Sequence, residues 1–411
     1  MIEDFKASQK ASRNTLSLEK RNEVLKKLIE NLKQEKEQIL TANEKDLAKM
    51  DKEDSLYDRL LLTEDRIDAI CGDIETVIGL PDPTNQTIEE RTLEAGLKLS
   101  RIKVPLGVVG VIYEARPNVT IDVFTLCFKS GNACVLKGGS DAEFSNEALV
   151  QIIKKSLKDS EVSEDYVFLM PKEREHVQTL LKADKYIDLI IPRGSQGLIK
   201  FVKENSLVPI IETGAGIVHT YIDEECDVEK AAEIVFNAKT QRPSVCNALD
   251  CLVIHEKQLE NLPKLTEKLT EKEVEIFADE DSHESISQTY PQNLLQKATQ
   301  EDYGREFLSL KMSIKTVKSL DEAIEHINTY SSRHSEAILS NNQENQEEFI
   351  NRIDAGAIYT NASTRFTDGA IFGLGAEIGI STQKLHARGP FALDALTTYK
   401  WVLRGDGEVR K

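Results

Sequence analysis

The chain has 411 residues, enough for two or three domains with sizeable cores. Its composition, 40% hydrophobic and 30% charged, is that of a globular protein. Its formal net charge of −18 argues against nucleic acid or an anionic membrane as a general partner, because both reward a basic surface. The opening segment Met1 to Asn14 lacks the apolar core of a secretory signal, and no run reaches the roughly 18 apolar residues of a membrane span. The six cysteines are scattered, a reduced, cytoplasmic pattern. The seven histidines show no HExxH-type spacing, so no metal site is expected.

In chain order, the first 95 or so residues read as helical, with leucine and isoleucine at three- and four-residue spacing between charges. Ser17 with Lys20 makes a poor capping box, and "LPDPTN" reads as a closing turn. From residue 99 the texture changes. "LSRIKV" and "VPLGVVGVIYE" read as strands, "NVTIDVFTLCFKSG" as a helix ending at Gly131, and "NACVLKGG" as a strand ending in a glycine turn. Helices at "SNEALVQIIKKSLKDS", "REHVQTLLKAD" and "SQGLIKFVKENS" alternate with strands at "YVFLM", "YIDLIIPRG" and "LVPIIETGAG". Such alternation is the sequence form of a parallel α/β sheet. "CDVEKAAEIVFNAKT" opens a second α/β unit whose strands include "DCLVIH", "FLSLKMSIKTV", "EAILS" and "AGAIYTN". Residues 255–300, rich in Glu, Lys and Gln, read as solvated helices around a strand. "TTYKWVLRGDGEVR", about Thr397 to Arg410, reads as a terminal strand that pairs across a subunit interface with residues near 99–104, Trp401 serving as anchor. The alternative is a strand folded back on its own subunit.

The most informative stretch is "QRPSVCNALD", Gln241 to Asp250. A cysteine that fills a core sits in an apolar run, but Cys246 follows Arg242 and Pro243 in a polar turn between a helix and a strand. A neighbouring cation favours the thiolate, and backbone N–H groups in a turn can receive a developing oxyanion. Cys127, Cys134 and Cys251 read instead as buried fillers.

Other motifs surround this one. Lys137, Gly138, Gly139 and Ser140 end a strand before a helix, an arrangement suited to a nucleotide phosphate or ribose, although a plain turn explains it as well. It is neither GxGxxG nor a Walker A loop. Arg193, Gly194 and Ser195 repeat the device, and two such turns in one sheet favour a cofactor crevice. "YEARPN" places Arg116 and Asn118 between a strand and a helix, where Asn118 either caps the helix or offers its amide to an oxyanion. Glu212 ends a strand before a glycine-rich turn, as a catalytic carboxylate or as a salt-bridged loop residue. Asn361 to Pro390 gathers Arg365, Lys384, His386 and Arg388 among small residues, which suggests an anion pocket or an ordinary interdomain loop.

The order Asn, Lys–Gly–Gly–Ser, Arg–Gly–Ser, Glu–Thr–Gly–Ala–Gly, Cys resembles the aldehyde dehydrogenase superfamily. "PLGVVGVIYEARPNVT", "NAKTQRPSVCNALD", "NASTRFTDG" and "FGLGAEIGISTQKLHARGP" resemble its phosphate-releasing members over essentially the whole chain. The resemblance implies an aldehyde dehydrogenase-like α/β fold of two parallel-sheet domains plus an oligomerisation strand extension. It divides the chain into an NADP(H)-binding domain (1–225), a catalytic domain (226–385) and a return to the cofactor domain with the oligomerisation strand (386–411). It implies NADPH-dependent reduction of L-glutamyl 5-phosphate to the 5-semialdehyde and phosphate, in proline biosynthesis, through a thioester on Cys246. It makes Asn118 the oxyanion amide, Lys137 the cofactor-ribose lysine, Glu212 the position of the base in hydrolytic relatives, and Glu306 the nicotinamide-ribose glutamate. Cofactor contacts fall on Lys137, Gly138, Gly139, Ser140, Arg193, Gly194, Ser195 and Glu306. Substrate contacts fall on Arg116, Arg242, Arg365, Lys384, His386 and Arg388. It also implies a homo-oligomer, dimer or tetramer, with glutamate 5-kinase as a candidate partner. Ser195 and Val218 depart from the pattern, where a glycine and a cysteine are expected. The rival readings are a hydrolytic dehydrogenase of a small aldehyde and a nucleotide-fold binding protein without turnover.

Overall fold

A computed structural model describes residues 1–52, 57–94 and 96–410 of the chain. It divides into two compact units. The first comprises residues 1–213, 373–379 and 391–411, and the second comprises residues 214–372 and 380–390. The first boundary therefore falls at 213/214 rather than at 225/226. The reason is that the strand following the glycine-rich turn hydrogen-bonds into the second sheet.

Helices fill the N-terminal part, as their periodicity predicts. Leu18–Gln34 buries Val24, Leu25, Leu28, Ile29 and Leu32 along one face, and the Ser17 hydroxyl caps it by accepting from the Lys20 N–H at 3.2 Å. Strands begin earlier than expected: β1 (Thr87–Thr92) pairs antiparallel with β2 (Lys98–Pro105). Its "TIEERT" sequence is charged and mostly exposed, so it carries no apolar alternation to betray it. The terminal strand β16 (Thr397–Arg404) pairs with the other edge of β2, Trp401 opposite Arg101. The expected partner segment is correct, but the pairing lies within one chain. The resulting order is β1-β2-β16.

The first unit's parallel sheet runs β5-β4-β3-β6, built from β3 (Val108–Tyr113), β4 (Ala133–Gly138), β5 (Val167–Leu169) and β6 (Leu189–Arg193). Strands β3 and β4 are buried throughout, as a sheet covered on both faces requires. The expected strand at 207–216 is reduced to one bridge, Ile190 to Ile210. Pro209 has no N–H to extend the ladder beyond it.

The second unit's sheet is also parallel, in the order β10-β9-β11-β8-β7-β12-β13. Its strands are β7 (His219–Ile222), β8 (Cys251–His255), β9 (Glu275–Ala278), β10 (Leu295–Lys297), β11 (Lys311–Val317), β12 (Ser335–Leu339) and β13 (Ala357–Thr360). Residues 255–300 thus hold two strands rather than one. Ile222, Leu252 and Ile254 face the helix Val228–Thr240 and its neighbours. Tyr221, Cys251 and Val253 face Ala323, Ile324 and Ile327 of the helix Leu320–Tyr330. A short ribbon, β14 (Gly379–Ser381) with β15 (Gly389–Phe391), follows. No helix among the described residues is long and apolar enough to cross a membrane.

Candidate active site

Cys246 lies on the turn between the helix Val228–Thr240 and β8, at the amino edge of the second sheet. Its side chain is half-buried. The turn is tied at its base by a buried ion pair, Lys239 Nζ to Asp250 Oδ1 at 3.8 Å. Lys239 also donates to the Leu249 carbonyl at 2.6 Å, and Asp250 Oδ1 accepts from the Phe307 N–H at 3.0 Å. Burial pushes the lysine down and the aspartate up, each opposed by its partner's charge.

Three neighbouring segments close on this turn. Gly216, which leads into β7, meets the Cys246 peptide so closely that a Cβ there would overlap the Cys246 carbonyl. The Gly216 N–H donates to Glu306 Oε1 at 2.8 Å, which brings Glu306 beside the thiol's loop. Asn247, buried next to the thiol, donates from Nδ2 to the Thr367 carbonyl at 2.8 Å. The Thr364 hydroxyl donates to the Asn247 carbonyl at 2.8 Å. Arg365, between these threonines, donates from Nε to Gln241 Oε1 at 2.8 Å. Burial lowers the Arg365 pKa and Arg242 lowers it further, while Cys246 and Asp368 raise it. The two guanidinium groups and the thiol therefore share one electrostatic neighbourhood.

The remaining cations of this unit are arranged differently from the expected pocket. Asp354 is paired with Lys384 at 2.9 Å, Arg388 at 2.6 Å and Arg333 at 3.7 Å. Lys384 and Arg388 thus gather around a carboxylate, and His386 is exposed.

In the first unit, Asn118 is not a cap. Arg116 occupies the N-cap position of the helix Pro117–Lys129, and Asn118 donates from Nδ2 to Asp122 Oδ2 at 3.0 Å. Burial pushes the Asp122 carboxyl up to about 7, with Asp73 adding to the shift and Asn118 and Arg193 opposing it. Glu212 forms an ion pair with Lys203 at 2.7 Å, the salt-bridged loop arrangement.

The two glycine turns differ from simple anion cradles. The helix Glu143–Asp159 after Ser140 is served at its start by Asp46, whose carboxylate accepts from the N–H groups of Phe144 and Ser145 at 3.2 and 2.8 Å. Gly138 and Gly194 are required by the close approach of Asn146 and Glu114. Ser195 gives its N–H to Glu114 Oε2 at 2.8 Å, and its hydroxyl accepts from the Leu198 N–H at 3.4 Å. Lys137, nearly buried at the end of β4, donates to the carbonyls of Gly138 and Lys172 at 3.1 and 2.9 Å. Burial lowers its pKa; Glu173 raises it and Arg174 lowers it.

The sequence profile of the aldehyde dehydrogenase family matches residues 2–289 and 311–402. The chain belongs to the aldehyde dehydrogenase family. It is 56% identical over 406 residues to the gamma-glutamyl phosphate reductase of Pelodictyon phaeoclathratiforme, covering 98% of this chain and 97% of that one. It is 53% identical over 408 residues to the reductase of the same name from Bacteroides thetaiotaomicron, covering 99% and 98%. The crystal structure of gamma-glutamyl phosphate reductase from Thermotoga maritima superposes with a TM-score of 0.95 at 44% identity, covering 100% and 99%. As an aldehyde dehydrogenase family member the chain is an oxidoreductase, and a nicotinamide cofactor follows. Lys137 fits such a group: among the described residues two of its three N–H bonds are used on carbonyls, and the third could meet a ribose hydroxyl.

Several residues of this site escape sequence reading. Gly216 carries a signal, since glycine marks close backbone approach. Lys239, Asp250, Thr364 and Thr367 look like ordinary helix or loop residues until the fold brings them to the Cys246 turn.

Proposed function

We propose that the chain reduces L-glutamyl 5-phosphate to L-glutamate 5-semialdehyde and phosphate with NADPH, through a thioester on Cys246, as a step of proline biosynthesis. The observation that carries this reading is the Cys246 turn. It is clipped at its base by Lys239 and Asp250, backed by Gly216, and set in one neighbourhood with Arg242 and Arg365. The full-length likeness to proteins named gamma-glutamyl phosphate reductase supports the substrate.

The Cys246 thiolate attacks the acyl phosphate carbon, and the carbon–oxygen bond to phosphate breaks with its electron pair leaving on phosphate. Arg242 and Arg365 offset the charge of that group. The Asn118 amide and backbone N–H groups of the turn stabilise the oxyanion at each addition step. When bound, NADPH would supply the hydride that reduces the thioester carbon. The resulting hemithioacetal collapses, its carbon–sulfur bond breaking to return the thiolate and release the aldehyde. Lys137, with Arg174 near it, holds the ribose side of the cofactor and favours a 2′-phosphate. Glu306, held on Gly216, supports the nicotinamide side.

Phosphate is a good leaving group, so acylation needs no strong base. Glu212, engaged by Lys203, is assigned no step, and this pairing disfavours the hydrolytic reading. We also infer a homo-oligomer: β16 is an edge strand carrying exposed Tyr399, Trp401 and Leu403 on one face. Steady-state oxidation of glutamate 5-semialdehyde by NADP tests the reaction. Turnover should require inorganic phosphate, and equal rates without it would refute the proposal.

A further inference from the structure

The register of the second sheet sets four polar residues in a row. Cys251 pairs with Ser313 on one side and His219 on the other, and His219 pairs with Glu336. Register partners in neighbouring strands project to one face, here the face covered by the helix Leu320–Tyr330. That helix adds partly buried His326, whose Nε2 lies 3.8 Å from Cys251 Sγ. One donor atom each from His219, Cys251 and His326 lie within 4.8 Å of one another.

His219 is the decisive member. Glu336 Oε2 accepts from its backbone N–H at 2.8 Å and contacts Nδ1 at 3.1 Å. The other Glu336 oxygen accepts from the Ser331 hydroxyl. With Nδ1 donating to a carboxylate, Nε2 of the neutral ring carries the lone pair. That nitrogen is buried and has no hydrogen-bond partner among the described residues. A buried polar atom left unpaired in a core is costly and calls for a partner. A carboxylate behind one imidazole nitrogen is also what orients the other toward a metal.

We propose that His219, Cys251 and His326 bind a divalent ion of the zinc class, with Glu336 as the carboxylate that orients His219. Two imidazoles and a thiolate are a ligand set for zinc, whose donors stand about 2.0–2.3 Å from the ion. Three protein ligands leave a fourth tetrahedral position for water. Binding would draw these donors in from their present spacing of up to 4.8 Å. Access runs through an open groove of about 350 Å³ lined by His326 with Glu256, Asp281, Lys315, Glu322 and Glu325. An ion here ties β7, β8 and the covering helix together, five residues along the chain from Cys246.

The test is titration of chelator-treated full-length protein with Co²⁺, followed by displacement with Zn²⁺. One equivalent should give a tetrahedral spectrum with a thiolate-to-cobalt charge-transfer band. Cys246→Ser should keep the band and Cys251→Ser should lose it. His326→Gln should bind at least about 10-fold more weakly, and Glu336→Gln about 10- to 100-fold more weakly. The proposal is overturned by absence of the band in wild type. It is equally overturned by a band lost in Cys246→Ser but kept in Cys251→Ser, or by unchanged affinity in both Cys251→Ser and His326→Gln.

Discussion

Gly216 lies against the Cys246 peptide so tightly that any side chain there would overlap the Cys246 carbonyl. The backbone of one strand-entry loop thereby sets the position of Cys246, the proposed nucleophile, on the next. Gly216→Ala must displace one of the two loops. A displacement of about 1 Å at a reacting group costs about 100-fold in rate. We expect kcat to fall by at least that factor while circular dichroism stays unchanged. Wild-type kcat in this variant would show that the close approach is incidental.

Asp122 provides a pH test. Burial raises its pKa to about 7, so the folded chain holds this proton more tightly than the unfolded chain, whose aspartates ionise near about pH 4. Its stabilising contribution is complete below that lower pH and is lost as pH rises through about 7. Asp122→Asn keeps an acceptor for Asn118 but cannot ionise. Its melting temperature should fall less than that of wild type between about pH 5 and about pH 8. Parallel curves would place the titration elsewhere.

Lys137→Ala removes a charged hydrogen bond worth about 1.5–3 kcal/mol, so the apparent cofactor constant should rise about 10- to 100-fold. The constant for the semialdehyde should change much less. The opposite pattern in initial-rate kinetics would move the cofactor away from β4.

Trp401 and Leu403 project from an edge strand with exposures of 45% and 55%. A charge at that face should disrupt association without unfolding the chain, because β16 keeps its register with β2. Light scattering of Trp401→Glu should give a lower mass than wild type. An unchanged oligomeric mass would rule this face out as the interface.

The sequence carried more of the fold than of the site. Alternation of β-rich runs with amphipathic helices gave the two parallel sheets, because strand burial on both faces leaves long apolar runs. It missed β1, whose exposed charges leave no pattern, and overextended the segment around Pro209, where a missing N–H ends the ladder. Cys246 stood out because a polar turn is an unusual place for a thiol. The clip of Lys239 on Asp250 did not, since its two halves sit in a helix and in the loop before β8 and become partners only when the turn closes. Asp46 at the start of the helix Glu143–Asp159 lies almost 100 residues away in sequence, so the turn before that helix looked open to an anion. The same limit hid His219, Cys251 and His326. Metal motifs are read from local spacing, whereas these donors are joined by sheet register and a covering helix.

The central claim is that Cys246 carries a thioester that only phosphate resolves efficiently. Its most direct measurement is stopped-flow formation of NADPH from glutamate 5-semialdehyde and NADP in the absence of phosphate. The account predicts a burst of about one equivalent per chain, then near arrest, with turnover resuming when phosphate is added. Cys246→Ser should show no burst and a loss of roughly 10³-fold or more in turnover. Steady NADPH production without phosphate, or a full burst in Cys246→Ser, would contradict it.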